Sequence, residues 1–272
     1  MRYFDYKKKR LIYLARQATP AFWDDRWETN GFSKEKLLNI KDTIVVRLTK
    51  KYLKPEEGPI LEGGCGTGVH VAALTNNRYQ CIGVDYAPNT VRTLNEILPE
   101  LDIRLGDVRY LPFADASFAG YWSLGVIEHF WDGYEAIAAE MARVLRPEGY
   151  LFLSFPYLSP LRKVKALSSL YPQWTDEQAP PAFYQFALDH RRVIEDFRRM
   201  GFSLVGATPQ LGMTGAEQEI PSLKSFLQKL RKYREASLLV RGLIGGLSYT
   251  LTLFTGHVVL LVFRRRAALS SV

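Results

Sequence analysis

From Ile60 onward the chain alternates short apolar runs with stretches of helical period. That alternation points to a parallel sheet covered by helices on both faces. Strands are predicted at Ile60-Leu61, Gln80–Val84, Ile103–Leu105, Gly120–Val126, Tyr150–Phe155 and residues 202–207, with a seventh at His257–Phe263. Helices are predicted near 69–76, 88–97, 132–145 and 190–200, the last stopping at Gly201. Residues 1–57 read as helical, with an aromatic-acidic stretch at Phe22-Trp23-Asp24-Asp25-Arg26-Trp27. Pro55 and Gly58-Pro59 then punctuate the chain.

The first run with chemistry is Ile60-Leu61-Glu62-Gly63-Gly64-Cys65-Gly66-Thr67-Gly68. A strand leads into a glycine turn that opens a helix, and the missing Cβ atoms let a ligand approach the backbone. A dinucleotide fingerprint would need a small residue where Val69 stands, and no Lys-Ser/Thr follows to make a phosphate loop. With Glu62 nearby and no basic residue, the turn suits a ligand with a cationic end. Asp85 closes the second strand, where an acid can accept both hydroxyls of a ribose. Asp107 follows the third strand, where a carboxylate can accept from an adenine amino group. Pro112-Phe113-Ala114-Asp115-Ala116-Ser117-Phe118 then leads to Val126-Ile127-Glu128-His129.

These elements, in this order, resemble the class I S-adenosylmethionine-dependent methyltransferases, in particular the small-molecule and lipid methyltransferases with a GDxxxLPFxDxSF run. The resemblance covers roughly residues 58–207 and the last strand. It implies an α/β fold with a Rossmann-like, seven-stranded, mostly parallel sheet whose last strand is antiparallel. It implies S-adenosylmethionine as cofactor and S-adenosylhomocysteine as product. The cofactor residues it implies are Glu62, Gly64, Cys65, Gly66, Gly68, Asp85, Tyr86, Asp107, Val108 and Leu124. His129 is the candidate general base and Glu128 its alternative. No metal site is expected. Cys65 reads as a small turn residue, because no base accompanies it. Trp23 and Trp27 read first as core, with a lid over the cofactor as the alternative. Tyr157 and Tyr184 are candidates for the acceptor pocket.

The formal charge of +8 is regional. Residues 221–272 carry nine basic side chains and one acid, Glu235, so the first 220 residues are neutral. Charge is thus weak support for nucleic-acid binding by the whole chain. The Asn/Asp-Pro-Pro-Tyr/Phe run of DNA amino-methyltransferases is missing after the fourth strand, which argues against DNA. RNA methylation through the basic C-terminal region is an alternative, as is an S-adenosylmethionine-binding interaction protein without catalysis. An NAD(P)-dependent oxidoreductase is disfavoured by Val69.

Residues 242–263 carry no formal charge and are long enough to span a bilayer, which takes ~20 residues. Their glycines, hydroxyls and His257, and the change of period midway, favour a buried non-membrane segment. The N-terminal apolar run is too short for a signal peptide. Cys65 and Cys81, the two cysteines, fit a reducing compartment. The expected organisation is a helical cap (1–57), a cofactor-binding core (58–211), an apolar and basic helical insertion (212–255) and a last strand with basic tail (256–272). The expected partner is a small-molecule or lipid-like acceptor. The expected location is the cytoplasm, with peripheral membrane contact through 212–266.

Overall fold

The computed structural model describes residues 1–31, 33–233 and 238–267. Arg234 and Glu235, and the tail from residue 268 onward, fall outside the described residues. The chain does not begin as helix. β1 (Arg2–Asp5) and β2 (Arg10–Leu14) form an antiparallel hairpin. Asp5 shapes its turn by accepting from the Lys8 N–H at 2.9 Å and pairing with Arg10 at 3.2 Å. The Lys7–Arg10 run therefore bends a hairpin, where the sequence reading expected helix. Three helices follow: α1 (Pro20–Asn30), α2 (Lys34–Asn39) and α3 (Ile44–Tyr52). Thr19, Ser33 and Thr43 cap them, each accepting from a backbone N–H of the first turn.

The core then alternates as expected: β3 (Ile60–Gly63), α4 (Val69–Thr75), β4 (Cys81–Asp85), α5 (Pro88–Ile97), β5 (Asp102–Leu105), β6 (Phe118–Leu124), α6 (Glu135–Val144) and β7 (Leu145–Pro156). Next come α7 (Pro160–Leu167), β8 (Phe183–Ala187), α8 (His190–Arg199) and β9 (Phe202–Gln210). The insertion is α9 (Gly212–Glu219), α10 (Lys224–Tyr233) and α11 (Leu238–Thr255), before β10 (Val258–Arg265). The main sheet has seven strands in the order β5-β4-β3-β6-β7-β10-β9. β10 runs antiparallel to both neighbours, and the other pairings of this sheet are parallel. β8 was not expected. It joins the hairpin in a second sheet, β1-β2-β8.

Side-chain alternation along the strands fills both faces of the main sheet. Leu61, Tyr121, Leu151, Leu153 and Leu261 face one core with Ile137, Met141 and Phe197. Ile60, Trp122, Phe152, Leu260 and Val262 face the other with Val45, Val46, Leu74 and Leu94. Trp122 stacks on Phe152 at 4.2 Å, and its indole N–H donates to Thr49 Oγ1 at 3.0 Å.

α9 and α11 touch at their backbones. A Cβ at Gly215 would collide with the Thr255 carbonyl, and Thr255 Oγ1 donates to the Gly212 carbonyl at 2.8 Å. The sequence reading placed residues 242–263 in the interior. The strand half is there, but of the helical half only single residues such as Ile244 and Thr255 are buried. Helix α11 leaves Leu247, Tyr249, Leu253 and Phe254 exposed. Among the described residues, no helix is long and apolar enough to cross a membrane. The basic run that ends β10 lies beside the start of β7 and the end of α8. Arg264 pairs with Glu148, Arg265 donates to the Leu145 carbonyl, and Arg266 donates to the Arg198 carbonyl.

Candidate active site

The carboxyl ends of β3, β4 and β6 open into one cavity of about 450 Å³. Open α/β sheets place their ligands at this edge. Gly64 and Gly66 have φ of +77° and +50°. A Cβ at Gly64 would lie 2.5 Å from Val126 Cγ2, and one at Gly66 would lie 2.9 Å from Trp27 Cζ2. The turn thus requires glycine for conformation and for close approach. Gly68, expected to contact cofactor, instead faces Leu94 and Ile103 behind the loop and does not line the cavity.

Asp85 braces this turn. Its Oδ2 accepts from the Gly66 N–H at 2.7 Å, and its Oδ1 accepts from the Ala87 N–H at 3.0 Å. Burial raises its pKa, and these backbone donors oppose the rise. Glu62 is buried, and its Oε2 has no hydrogen-bond partner. Burial, with Asp85 close by, pushes its carboxyl well above the usual range. An orphaned buried carboxylate at the cavity wall calls for a cation or an N–H donor. Asp107 lines the cavity but is already paired with Arg109 at 2.6 Å. Burial acts to raise its pKa, but Arg109 outweighs that and holds it low. An adenine amino group there would share the carboxylate with Arg109. Tyr86, Val108, Leu124 and Cys65 line the cavity as expected. The Tyr86 hydroxyl donates to the Ala18 carbonyl at 2.8 Å, and burial pushes its pKa up to about 12. Burial also pushes the Cys65 thiol well up, which favours its protonated form.

Helix α1 borders the cavity. Trp23 and Trp27, four residues apart, stack at 5.5 Å and line the cavity. Helix α5 begins at Ala87, which has no side-chain cap. Asp24 of α1 does that work: Oδ1 accepts from both the N–H and hydroxyl of Thr90 at 2.8 Å, and Oδ2 accepts from the Asn89 N–H at 3.3 Å. Helix α1 is therefore clamped to the core by another helix's unpaired donors.

The far half of the cavity holds Glu128 and His129, on a short turn after β6. His129 Nδ1 lies 2.7 Å from the Tyr184 carbonyl, which places a proton on Nδ1, and the Gly125 backbone also hydrogen-bonds the ring. Burial drives its pKa down to about 4, so the ring is neutral above that pH. Trp23 and Tyr184 pack edge-on against it, each at 5.1 Å. Glu128 is buried with Oε2 unpartnered, and burial pushes it up to about 8. Because its folded pKa is raised, its contribution to stability is full below the ordinary 4.5 and disappears as pH rises through about 8. Glu128→Gln is therefore expected to raise the thermal midpoint at pH 8 and to change it little at pH 5, as read by calorimetric melting.

Tyr184 lines this half, but Tyr157 is buried outside it, its ring edge-on to His190. Sequence reasoning missed Arg26, His70, Ser154, Gln185, Leu211 and His257, all of which line the cavity. His257 alone carried a signal, as the one ionisable group in an apolar run just ahead of a strand. No cluster of His, Cys, Asp or Glu able to hold a metal occurs among the described residues.

Residues 61–153 match the Methyltransferase domain family. The segment lies inside the resemblance drawn above and includes the glycine turn, Asp85 and His129. That segment is a methyltransferase domain of the S-adenosylmethionine-dependent kind. A protein of Mycolicibacterium smegmatis named as an S-adenosylmethionine-dependent methyltransferase is 38% identical over 97 residues. That match spans 36% of this chain and 37% of the relative's length. The malonyl-[acyl-carrier protein] O-methyltransferase of Herminiimonas arsenicoxydans is 26% identical over 58% of this chain and 69% of its own length. Among solved structures, the methyltransferase chain of a Haloferax volcanii complex with the Trm112 activator aligns with a TM-score of 0.55 at 15% identity, covering 91% of this chain and 96% of that one. A [4+2]-cyclase aligns over 94% of this chain and 99% of its own, with a TM-score of 0.53 at 16% identity. At such identities these structures speak to the fold alone. The methyltransferase domain thus rests on matched sequence, and its seven-stranded sheet on both sequence and structure.

Proposed function

We propose that the protein transfers the methyl group of S-adenosylmethionine to a small-molecule or lipid-linked acceptor held in the far half of the cavity. The observation that carries this reading is one cavity shared by an unpartnered buried Glu62 oxygen, the Asp85-braced glycine turn and the neutral ring of His129. The residues present fit the cofactor. Glu62 would hold its amino group, Asp85 its ribose hydroxyls, and Tyr86, Val108 and Leu124 would flank its base. When bound, S-adenosylmethionine supplies a methyl group already activated by a sulfonium.

What remains for the chain is to orient, to exclude water and to move a proton. Placement of two reactants in line is worth ~7–11 kcal/mol of barrier. Trp23 and Trp27 cover the turn and exclude water. For a hydroxyl or amine acceptor, His129 takes the proton at Nε2, and the Tyr184 carbonyl steadies the ring through Nδ1. A pKa near 4 makes it a weak base that is always in its basic form at neutral pH. His129→Ala is expected to lower turnover on such an acceptor by about 100-fold or more, with S-adenosylhomocysteine affinity retained. Unchanged turnover would remove His129 from the mechanism.

Two observations support a small or lipid-linked acceptor over RNA. The Arg264–Arg266 run is tied to Glu148 and to the carbonyls of Leu145 and Arg198, on the sheet edge opposite the cavity. Leu211, just ahead of the insertion, lines the cavity, while α11 turns Leu253 and Phe254 outward, a surface suited to an apolar acceptor or a lipid layer. The relative named for a malonyl-acyl-carrier acceptor fits the same choice. The deciding experiment supplies S-adenosylmethionine labelled in its methyl group to lipid, metabolite and RNA fractions. Label in lipid or metabolite fractions is expected, and label confined to RNA would overturn the reading.

A further inference from the structure

β10 is the one antiparallel strand of the main sheet, so its first residues, not its last, lie at the ligand edge. His257 stands just ahead of it and lines the cavity. Its other side faces a fully buried guanidinium. Arg162 Nη2 lies 2.7 Å from His257 Nδ1, and Arg162 Nη1 donates to the carbonyls of Tyr157 at 2.8 Å and His257 at 3.2 Å. An arginine only donates, so Nδ1 must accept and the imidazole proton must sit on Nε2. Arg162 is itself locked. Its Nε donates to Glu219 at 2.9 Å, and Glu219 also pairs with Arg2 at 2.6 Å and Lys165 at 3.0 Å. Among the described residues no group hydrogen-bonds His257 Nε2, and His257 lines the cavity.

We propose that His257 is a specificity-determining residue that presents a fixed Nε2–H donor to the acceptor, and so selects acceptors carrying a carbonyl or carboxylate oxygen over amines. The inference rests on the methyltransferase reading for the word acceptor, but the donor itself does not. The two histidines of this half are then opposite in kind: His129 offers a lone pair and His257 a proton. The groups that face His257 are Arg162, Glu219 and Arg2, and burial together with Arg162 keeps its pKa down at about 3. A single tautomer is thus present across the working pH range. Arg162 acts through His257 and is a positioning residue.

The test uses the full chain labelled with nitrogen-15 histidine and saturated with S-adenosylhomocysteine. The His257 resonances, assigned by His257→Gln, are expected to show Nε2 protonated and Nδ1 bare from pH 5 to 8. A proton on Nδ1, or a charged ring, would overturn the proposal. Octanamide and octanoate are then titrated against octylamine. Octanamide or octanoate is expected to shift the Nε2 signal, and octylamine is not. Tighter binding of octylamine than of both others would overturn the selection. His257→Phe is expected to weaken binding of the favoured probe about tenfold, the loss of one buried hydrogen bond. His257→Gln, which restores an N–H donor, is expected to recover most of it. A bystander histidine would show no difference between the two variants. Arg162→Lys is expected to leave a mixture of tautomers, a readout that plain loss of packing would not produce. If wild type fails to bind S-adenosylhomocysteine, the methyltransferase reading falls while the tautomer result stands by itself.

Discussion

Asp85→Ala is expected to weaken S-adenosylhomocysteine binding by about two to three orders of magnitude, measured by calorimetry. An ionised carboxylate offers about four lone-pair sites. Two are used by the N–H groups of Gly66 and Ala87, which fasten the glycine turn to the start of α5. The remainder are available to a diol in the cavity that Asp85 lines. Hydrogen bonds to a charged group are worth ~1.5–3 kcal/mol each, and alanine removes two from the ligand. It also leaves the Gly66 and Ala87 donors without their acceptor, so the turn loses its brace at the same time. Asp85→Asn keeps an acceptor oxygen and is expected to fall between the two. Full binding by the alanine variant would contradict the cofactor assignment at its best-supported residue.

Glu219→Leu is expected to cost the fold about 3–5 kcal/mol, read from urea denaturation at pH 7. Glu219 accepts from Arg2, Arg162 and Lys165 and from the Tyr171 hydroxyl at 2.6 Å. Those partners come from β1, from α7 and from the loop after it, so one carboxylate joins the N-terminal hairpin to the insertion. Without it, Arg162 remains fully buried with carbonyls, His257 and Gln218 but no anion. Breaking a buried pair on one side leaves an uncompensated charge, which is what makes the loss large. The double variant Arg162→Met with Glu219→Leu is expected to regain much of it. Burial acts to raise the Glu219 pKa, but Arg162, Tyr171 and Arg2 outweigh it and hold the group at about 2. Its contribution is therefore present above the ordinary 4.5 and is lost as pH falls through about 2. The difference between parent and variant should persist from pH 5 to 8 and shrink below pH 3. A gap unaffected by acid would mean that Glu219 matters through packing and not through charge.

The core was legible because each of its signals is local. Glycines at a strand end, an acid closing the next strand and alternating side chains on β6 and β7 need no distant partner to be read. The elements that were missed depend on partners. β1 and β2 are four and five residues long and hold a sheet only because β2 pairs with β8, with Leu11 opposite Ala187 and Ile12 opposite Phe186. Short apolar runs of that length fit helix and strand equally well. The interior placement of α11 failed for a related reason. Apolar composition shows that a helix prefers to leave water, not whether a neighbour covers it. In the site, Glu62, Asp85 and His129 were found through motif spacing. His257 was overlooked because its importance depends on Arg162, ninety-five positions earlier in the chain. Gly68 shows the converse: the motif names it, but its place is to start α4 with its back to Leu94 and Ile103.

The reversal of β10 separates two tasks along one strand. Its eight residues span about 25 Å, with His257 at one end and three arginines at the other. A support joined to the molecule at the arginine end would hold it by its back, mouth outward. Protein held in this way should turn over as fast as free protein.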